Sequence, residues 1–374
     1  MLPSLSIRKF RNLEDLKIAS LGRINLITGK NNTGKSTLLE AVSLYASRCD
    51  LNWISQLLTE RGEYSIAFEN GLNSVEANIK VFSGLFSNRD INFHETGSIS
   101  IGLIENELLK DSIWPLGFAC IRFVKYVEEF VSADSTLKKK TLIREDDLDS
   151  VIDFRVGLEL RGGTRSYILA LDDVRNVQAA YKTISRPDNF QFIRVRNIDR
   201  EINSKLWDTI TLTEKEVHVI EALRIIEPAI ERLAFVGDEG GERTAIIKLK
   251  GDNATSPIRS MGDGINRVLT IILALVNSDN GYLFIDEFEN GLHYSVQEKL
   301  WEIIFKLSED LNVQVFATTH SEDCIRGFES ILNSNQNYGE GKLIRLDNFK
   351  GKIRQTEYTS GELRVAAENY IETR

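Results

Sequence analysis

"GKNNTGKSTLLEAV", residues 29–42, is the stretch that decides the fold. It fits the phosphate-binding pattern G-x-x-x-x-G-K-[ST], with Gly29, Gly34, Lys35 and Ser36 at the fixed places. The pattern carries weight only between a strand and a helix, and both neighbours are legible. "RINLITG" reads as a short buried strand running into the glycines, after earlier strands in "LSIRKFRN" and "EDLKI". Residues 35–47 read as a helix with Leu38, Leu39, Val42 and Tyr45 on one face. In such a loop, glycines let backbone N–H groups close around a β-phosphate, and the helix adds its positive end. Lys35 would neutralise β/γ-phosphate charge and the Ser36 hydroxyl would ligand Mg²⁺. Asn31 would bond the loop or a phosphate oxygen, and Asn32, Thr33 and Thr37 complete the cradle.

The loop names a ligand class and leaves the job open, so the rest of the chain has to choose. "YLFIDE", residues 282–287, delivers two carboxylates to the end of a buried strand, where open α/β sheets bind ligands. Asp286 would hold Mg²⁺ through water, and Glu287 would orient and polarise an attacking water. "RSMGDGINRVL" lies shortly before it, and its short Gly-rich turn enters a helix directly. A helix start at Gly262, Asp263 and Gly264 is a second anion site, separate from the first. One protomer has little use for two phosphate sites so placed. A dimer does, because each helix end then caps the γ-phosphate bound by the other protomer. The plainer reading is an ordinary helix cap around Asp263. Finally, "VFATTHS" sets His320 just after a buried strand, where an imidazole would touch the γ-phosphate and report its loss.

Composition bounds the answer. The 374 residues are 42% hydrophobic and 27% charged, with a net charge of −9. That is ordinary for a soluble protein, and nothing global advertises nucleic acid. The first sixty residues and "LKKKTLIR" are locally basic; a solvated loop and a nucleotide-facing surface explain them, and DNA contact stays the weaker reading. Cys49, Cys120 and Cys324 lie far apart and fit reduced thiols. His94 and His218 lack metal-type partners and read as structural. No signal-peptide pattern and no membrane-spanning apolar run occur, so a cytoplasmic protein without membrane contact is expected.

Further along, "SISIGLI", "VIDFRVGLEL" and "TRSYILALDD" read as strands of a β-rich region at 61–185 with a partly helical insertion. "NFQFIRV" is a strand. "TLTEKEVHVIEALRII" is a helix opened by a Thr213–Glu216 capping box, and Pro228 begins another short helix. "RLAFVGDEGGERTAIIKLKGD" is a hairpin, and "DGINRVLTIILALVNS" and "SVQEKLWEIIFKLSEDL" are helices. "NFKGKIRQTEYTSGELRVAAENYIETR" reads as two strands and a helix. Continuously apolar strands alternating with helices mean a mainly parallel sheet covered on both faces.

The order GKNNTGKS, SMGDG, YLFIDE, ENGLH, TTH resembles ABC-type ATPase heads, the class that includes SMC and RecF proteins. "SMGDGINR", "DEFENGLHYSV" and "VFATTHS" look like the OLD (overcoming lysogenisation defect) group of ABC-like AAA ATPases. The resemblance covers residues 1–50 and roughly 200–374 and is loose between. It implies an α/β head with a mainly parallel core sheet and an antiparallel β-rich lobe, built from 1–60 plus 186–374 around 61–185. It makes Lys35 and Ser36 the Walker A pair, Asp286 and Glu287 the Walker B pair, and His320 the switch histidine. Gly262–Gly264 falls where an ABC head carries Ser-Gly-Gly, so a hydroxyl contact is lost unless Ser260 supplies it. Residues 289–293 match the loop that crosses the ABC dimer interface, and Gln191 is a candidate lobe-coupling glutamine. ATP over GTP comes from the resemblance, helped by the lack of a guanine-reading N-K-x-D motif. No heptad pattern marks a long coiled coil, and too few residues follow His320 for a toprim nuclease. The resemblance implies an ATPase switch working in homo-dimers or higher oligomers beside a separately encoded nuclease or toxin in bacterial anti-phage defence. A RecF-like DNA-repair ATPase, a nucleotide-gated binding module with little hydrolysis and, more distantly, a P-loop kinase are the rivals.

Overall fold

The computed structural model describes residues 1–63, 74–104, 117–130, 138–147, 150–163, 165–172, 188–194, 200–237, 243–252, 254–334, 341–359, 361–363 and 365. The chain opens with β1 (Leu5–Phe10), β2 (Leu13–Ile18) and β3 (Ile24–Thr28), then α1 (Lys35–Ala46), α2 (Leu51–Glu60) and α3 (Val75–Ser83). Five strands follow: β4 (Ile99–Gly102), β5 (Phe118–Phe130), β6 (Lys138–Leu142), β7 (Arg155–Gly162) and β8 (Arg165–Ala170). Next come β9 (Phe190–Ile193), α4 (Arg200–Ile210), α5 (Lys215–Ile226), β10 (Ile230–Gly237), β11 (Arg243–Leu249) and β12 (Thr255–Pro257). The last third alternates α6 (Asp263–Val276), β13 (Tyr282–Ile285), α7 (Tyr294–Asp310), β14 (Gln314–Thr318) and α8 (Glu322–Asn333) before the hairpin β15 (Gly341–Phe349) and β16 (Lys352–Tyr358).

Three sheets result. The central one runs β16-β15-β3-β14-β13-β9, parallel throughout except at the β15–β16 edge. An antiparallel sheet runs β2-β1-β4-β5-β7-β8, with β6 on β5. It takes its first two strands from the N-terminal stretch, so residues 5–18 and 99–170 share one sheet. β10, β11 and β12 form the third.

The parallel strands read as unbroken apolar runs because both their faces are covered. Successive side chains alternate between two cores. Leu283 and Ile285 join one core with Ile24, Leu26, Val315, Ala317 and helices α4–α8. Tyr282 and Phe284 join the other with Ile27, Phe316, α1 and the antiparallel sheet. Helix α1 is thus clamped between two sheets, and even its Glu40 and Ser43 are buried.

Several local expectations give way to tertiary structure. Thr213 and Glu216 form no capping box. Helix α4 ends just before them, and the Thr213 hydroxyl donates to the Ile210 carbonyl (2.6 Å), which also accepts from the Thr213 backbone N–H (3.0 Å). Glu216 accepts from Leu212 N (3.1 Å) instead. Pro228 begins no helix; it sits in a turn closed by Ile230 N to Glu227 O (3.1 Å) that feeds β10. "LKKKTLIR" is not a solvated loop: β6 runs through it, with Lys139 and Lys140 in register with Glu129 and Glu128 of β5. The hairpin at the end of the chain is present, while residues 366–374 of the expected last helix lie outside the described residues. Among the described residues no helix is long and apolar enough to cross a membrane.

Two predictions test this packing. A Cβ at Gly281 would lie 1.8 Å from the Asn189 carbonyl oxygen, at the point where β9 joins β13. Gly281→Ala is therefore expected to cost about 1–3 kcal/mol in urea unfolding, whereas Gly361→Ala, facing open space, stays within about 0.5 kcal/mol. All three cysteines are buried, which pushes the Cys120 thiol up to about 11 and those of Cys49 and Cys324 further still. The thiolate is the nucleophile, so none should react with iodoacetamide near pH 8 in the native state, and all three should react in denaturant.

Candidate functional site

Each element of the site starts from a backbone requirement. β3 ends at Gly29, whose φ of +140° and 2.3 Å approach of a built Cβ to the Leu346 carbonyl leave room only for glycine. Gly34 (φ +90°) precedes α1, which has no side-chain cap and no acidic residue in its first turn. The first N–H groups of α1 are thus left for a ligand. Thr33 Oγ1 donates to Lys30 O (2.8 Å), and Lys35 Nζ donates to the carbonyls of Gly29 (2.7 Å) and Lys30 (3.0 Å). Burial pushes the Lys35 ammonium below its ordinary range, and Asp286, Glu289 and Glu287 pull it part of the way back.

The acidic pair leaves the end of β13 beside that loop. Asp286 Oδ1 accepts from Ser36 Oγ (3.0 Å) and from Thr318 Oγ1 (2.7 Å). Thr318 in turn accepts from Glu287 N (2.8 Å). Glu287 sits at φ +48°, a left-handed conformation that costs a non-glycine residue roughly 1 kcal/mol. Asn31, Asn32, Gly34, Lys35, Ser36 and Thr37 line one cavity of about 560 Å³ with Asp286, Glu287, Thr318 and His320. A larger cavity, about 710 Å³, lies elsewhere, against the outer strands β1, β2 and β4, and takes in none of the motif residues.

A hydroxyl and a carboxylate oxygen 3.0 Å apart at the cavity wall suit a hard divalent cation, and a half-buried lysine beside uncapped helix N–H groups suits a polyphosphate. The residues present therefore fit Mg²⁺ and a nucleoside triphosphate. Gly262, Asp263 and Gly264 do not line this cavity; a Cβ at Gly264 would lie 3.2 Å from the Gly291 carbonyl, in the loop after the acidic pair. The Ser260 hydroxyl donates to Pro257 O (2.7 Å). Gln191 pairs with Leu283 within β9 and is not at the cavity either. Among the described residues no cluster of three His, Cys, Asp or Glu could hold a metal ion.

The structure adds residues that sequence reasoning missed. Arg267 of α6 is fully buried and donates to the carbonyls of Arg194 (3.2 Å), Asp286 (3.0 Å) and Glu287 (3.3 Å). Burial pushes it down to about 10 against the pull of Asp286, Glu287 and Glu289. It pins the backbone that carries both acids, and its only sequence signal was an arginine inside an otherwise apolar helix. Arg11, Asn12 and Arg61 also line the cavity. Arg11 and Arg61 converge on Glu40 of α1, which is 2% exposed, with contacts of 3.1 and 3.0 Å. No local pattern reveals that cluster, because its members come from separate elements.

A parallel sheet flanked by an antiparallel one, with a phosphate loop at its centre and an acidic pair two strands over, is the architecture of ABC/SMC-type P-loop ATPase heads. The chain belongs to the family described as "AAA domain, putative AbiEii toxin, Type IV TA system", whose model matches residues 24–323. It is similar to a Helicobacter pylori protein named "ATP/GTP phosphatase", at 24% identity over 92% of each chain. It is also similar to an uncharacterised Methanocaldococcus jannaschii protein, at 32% identity over 24% of this chain and 45% of that one. Its fold resembles that of an Smc head solved bound to the C-winged helix domain of ScpA. That likeness has a TM-score of 0.51 and 11% identity, covering 96% of this chain and 98% of that one.

Arg267 gives the testable consequence. Lysine keeps the charge and loses the planar fork, so Arg267→Lys leaves buried carbonyls unpaired. The expected loss is about 1–3 kcal/mol in urea unfolding, with the midpoint moving and the slope unchanged.

Proposed function

We propose that the protein is an ATP-binding and ATP-hydrolysing conformational switch that works as a pair of heads. The observation that carries this is the division of the motif residues. Lys35, Ser36, Asp286, Glu287 and His320 share one cavity, while Gly262–Gly264 opens α6 outside it. Such a split suits a composite site, in which the α6 end of one protomer meets the γ-phosphate held by the other. The parallel with the Helicobacter pylori phosphatase supports triphosphate hydrolysis.

In this reading Lys35 and the α1 amides bind the β- and γ-phosphates, and Ser36 and Asp286 hold Mg²⁺. Bound Mg²⁺ would neutralise phosphate charge. Glu287 orients the attacking water and takes up its proton, held in place by the Thr318 hydroxyl and Arg267. Loss of the γ-phosphate removes the contacts that favour the closed pair, which is the bias a switch needs. Control of a separately encoded effector in bacterial anti-phage defence rests on the resemblance to OLD-type ATPases. A DNA-repair role rests on the likeness to SMC and RecF heads and draws no support from the net charge of −9.

The test is steady-state ATP hydrolysis against protein concentration for wild type, Lys35→Ala and Glu287→Gln. Turnover per protomer should rise with concentration, and both variants should fall by about 100-fold or more. Glu287→Gln should still bind ATP and show a dimer mass in its presence. A monomer at high concentration with ATP and Mg²⁺ would overturn the paired-head reading.

A further inference from the structure

The end of β9 touches both parts of the proposed composite site. There the Ile193 carbonyl accepts from Asp286 N (2.9 Å), and the Arg194 carbonyl accepts from Arg267 Nη1 (3.2 Å). The same Arg267 guanidinium holds the carbonyls of Asp286 and Glu287, so the main chain at 193–194 and at the acidic pair is bound to α6 as one unit. The Arg194 side chain engages a different set of elements. Its guanidinium lies over the ring of Phe192, 4.2 Å from the centroid, and 5.8 Å from that of Trp53 in α2. Nε is 2.6 Å from Glu60 Oε2, at the last residue of α2, and Nη1 is 3.9 Å from Glu40 Oε1 of α1. Glu40 also pairs with Arg11 and Arg61, which line the nucleotide cavity. Trp53 fastens α2 to α1 by donating its Nε1–H to Ser43 Oγ (2.9 Å), and it packs edge-on against Phe190 of β9.

Arg194 thus has its main chain in the unit of α6 and the acidic pair, and its side chain in the unit of α1 and α2. We propose that Arg194 is a positioning residue that sets the register between the helix carrying the phosphate loop and the strand end carrying Glu287. It takes the lobe-coupling place that the sequence suggested for Gln191, which lies within β9 and away from the cavity. Arginine suits the task, because its planar cation stacks on an aromatic face while its edge meets carboxylates. The side chain is only 15% exposed, so solvent screens these attractions little. A displacement of α1 and Glu40 when phosphates enter the cavity loads Arg194, and its carbonyl passes the load to Arg267. From Arg267 it reaches Glu287 and the start of α6. The effect on turnover rests on the proposed hydrolysis; the link between α1 and α6 does not.

Hydrogen–deuterium exchange of the full chain, with and without a non-hydrolysable ATP analogue and Mg²⁺, reads the link without hydrolysis. In the wild type the analogue should slow exchange both at the start of α1 and at residues 263–267. In Arg194→Ala the α1 effect should remain, and the gain in protection at 263–267 should weaken by about threefold or more. Glu60→Ala should weaken it too, and the double variant should add little to Arg194→Ala, since both remove one contact. Arg194→Lys should restore part of the response, keeping the charge and losing the planar stack. In turnover, Arg194→Ala should lower kcat by about tenfold with analogue affinity within about twofold, at a temperature where circular dichroism shows the native fold. A wild type without the response at 263–267, or an Arg194→Ala variant that keeps it in full, overturns the proposal. The expected exchange pattern in a protein that hydrolyses no ATP leaves the role of Arg194 standing and sinks the hydrolysis reading instead.

Discussion

Asp286 Oδ1 holds the site together. It accepts the hydroxyl of Ser36 from the phosphate loop and the hydroxyl of Thr318 from the end of β14. Three consecutive parallel strands, β3, β14 and β13, thereby end on one carboxylate. Parallel strands bring their C-terminal ends to the same edge of the sheet, and the crossover helices cover the faces and leave that edge open. Ser36, Asp286 and Thr318 meet in the cavity through this convergence.

Around the carboxylate, charge is arranged at a cost to the empty protein. Lys35 and Arg267 are both cations that burial makes less basic, and the acids 286, 287 and 289 compensate each of them in part. A buried arginine, a half-buried lysine at a helix start and a left-handed Glu287 are features that a stable core does not require. On the proposed reading they are set in place for the phosphates of a bound nucleotide. The neighbouring Glu40 cluster shows the opposite economy: one buried acid gathers Arg11 and Arg61 so that the rim of the cavity is rigid before any ligand arrives.

Some of this was legible in the sequence because it is local. The phosphate loop depends on glycines at fixed spacing, and the acidic pair on four apolar residues leading to it. Both signals survive any tertiary arrangement. Thr213 with Glu216 shows the limit: the pattern for a capping box was present, yet the N-cap position of α5 falls one residue later, at Glu214, and the Thr213 hydroxyl donates back to the end of α4. Likewise Lys139 and Lys140 of "LKKKTLIR" lie in register with Glu129 and Glu128 across a strand pair that no periodicity announced.

The sequence by itself determined the ligand class, the α/β layering and the residues at the two strand ends, since each depends on spacing along a few neighbouring residues. Only the tertiary structure decided that β14 lies between β3 and β13, and with it that Thr318 meets Asp286 and that Glu289 meets His320. Strand order is set by how helices pack over both faces of the sheet, which is a property of the whole chain. Arg267 belongs to the same category: its three carbonyl partners lie on two segments far apart in the chain, and only the folded core brings them within reach of one guanidinium.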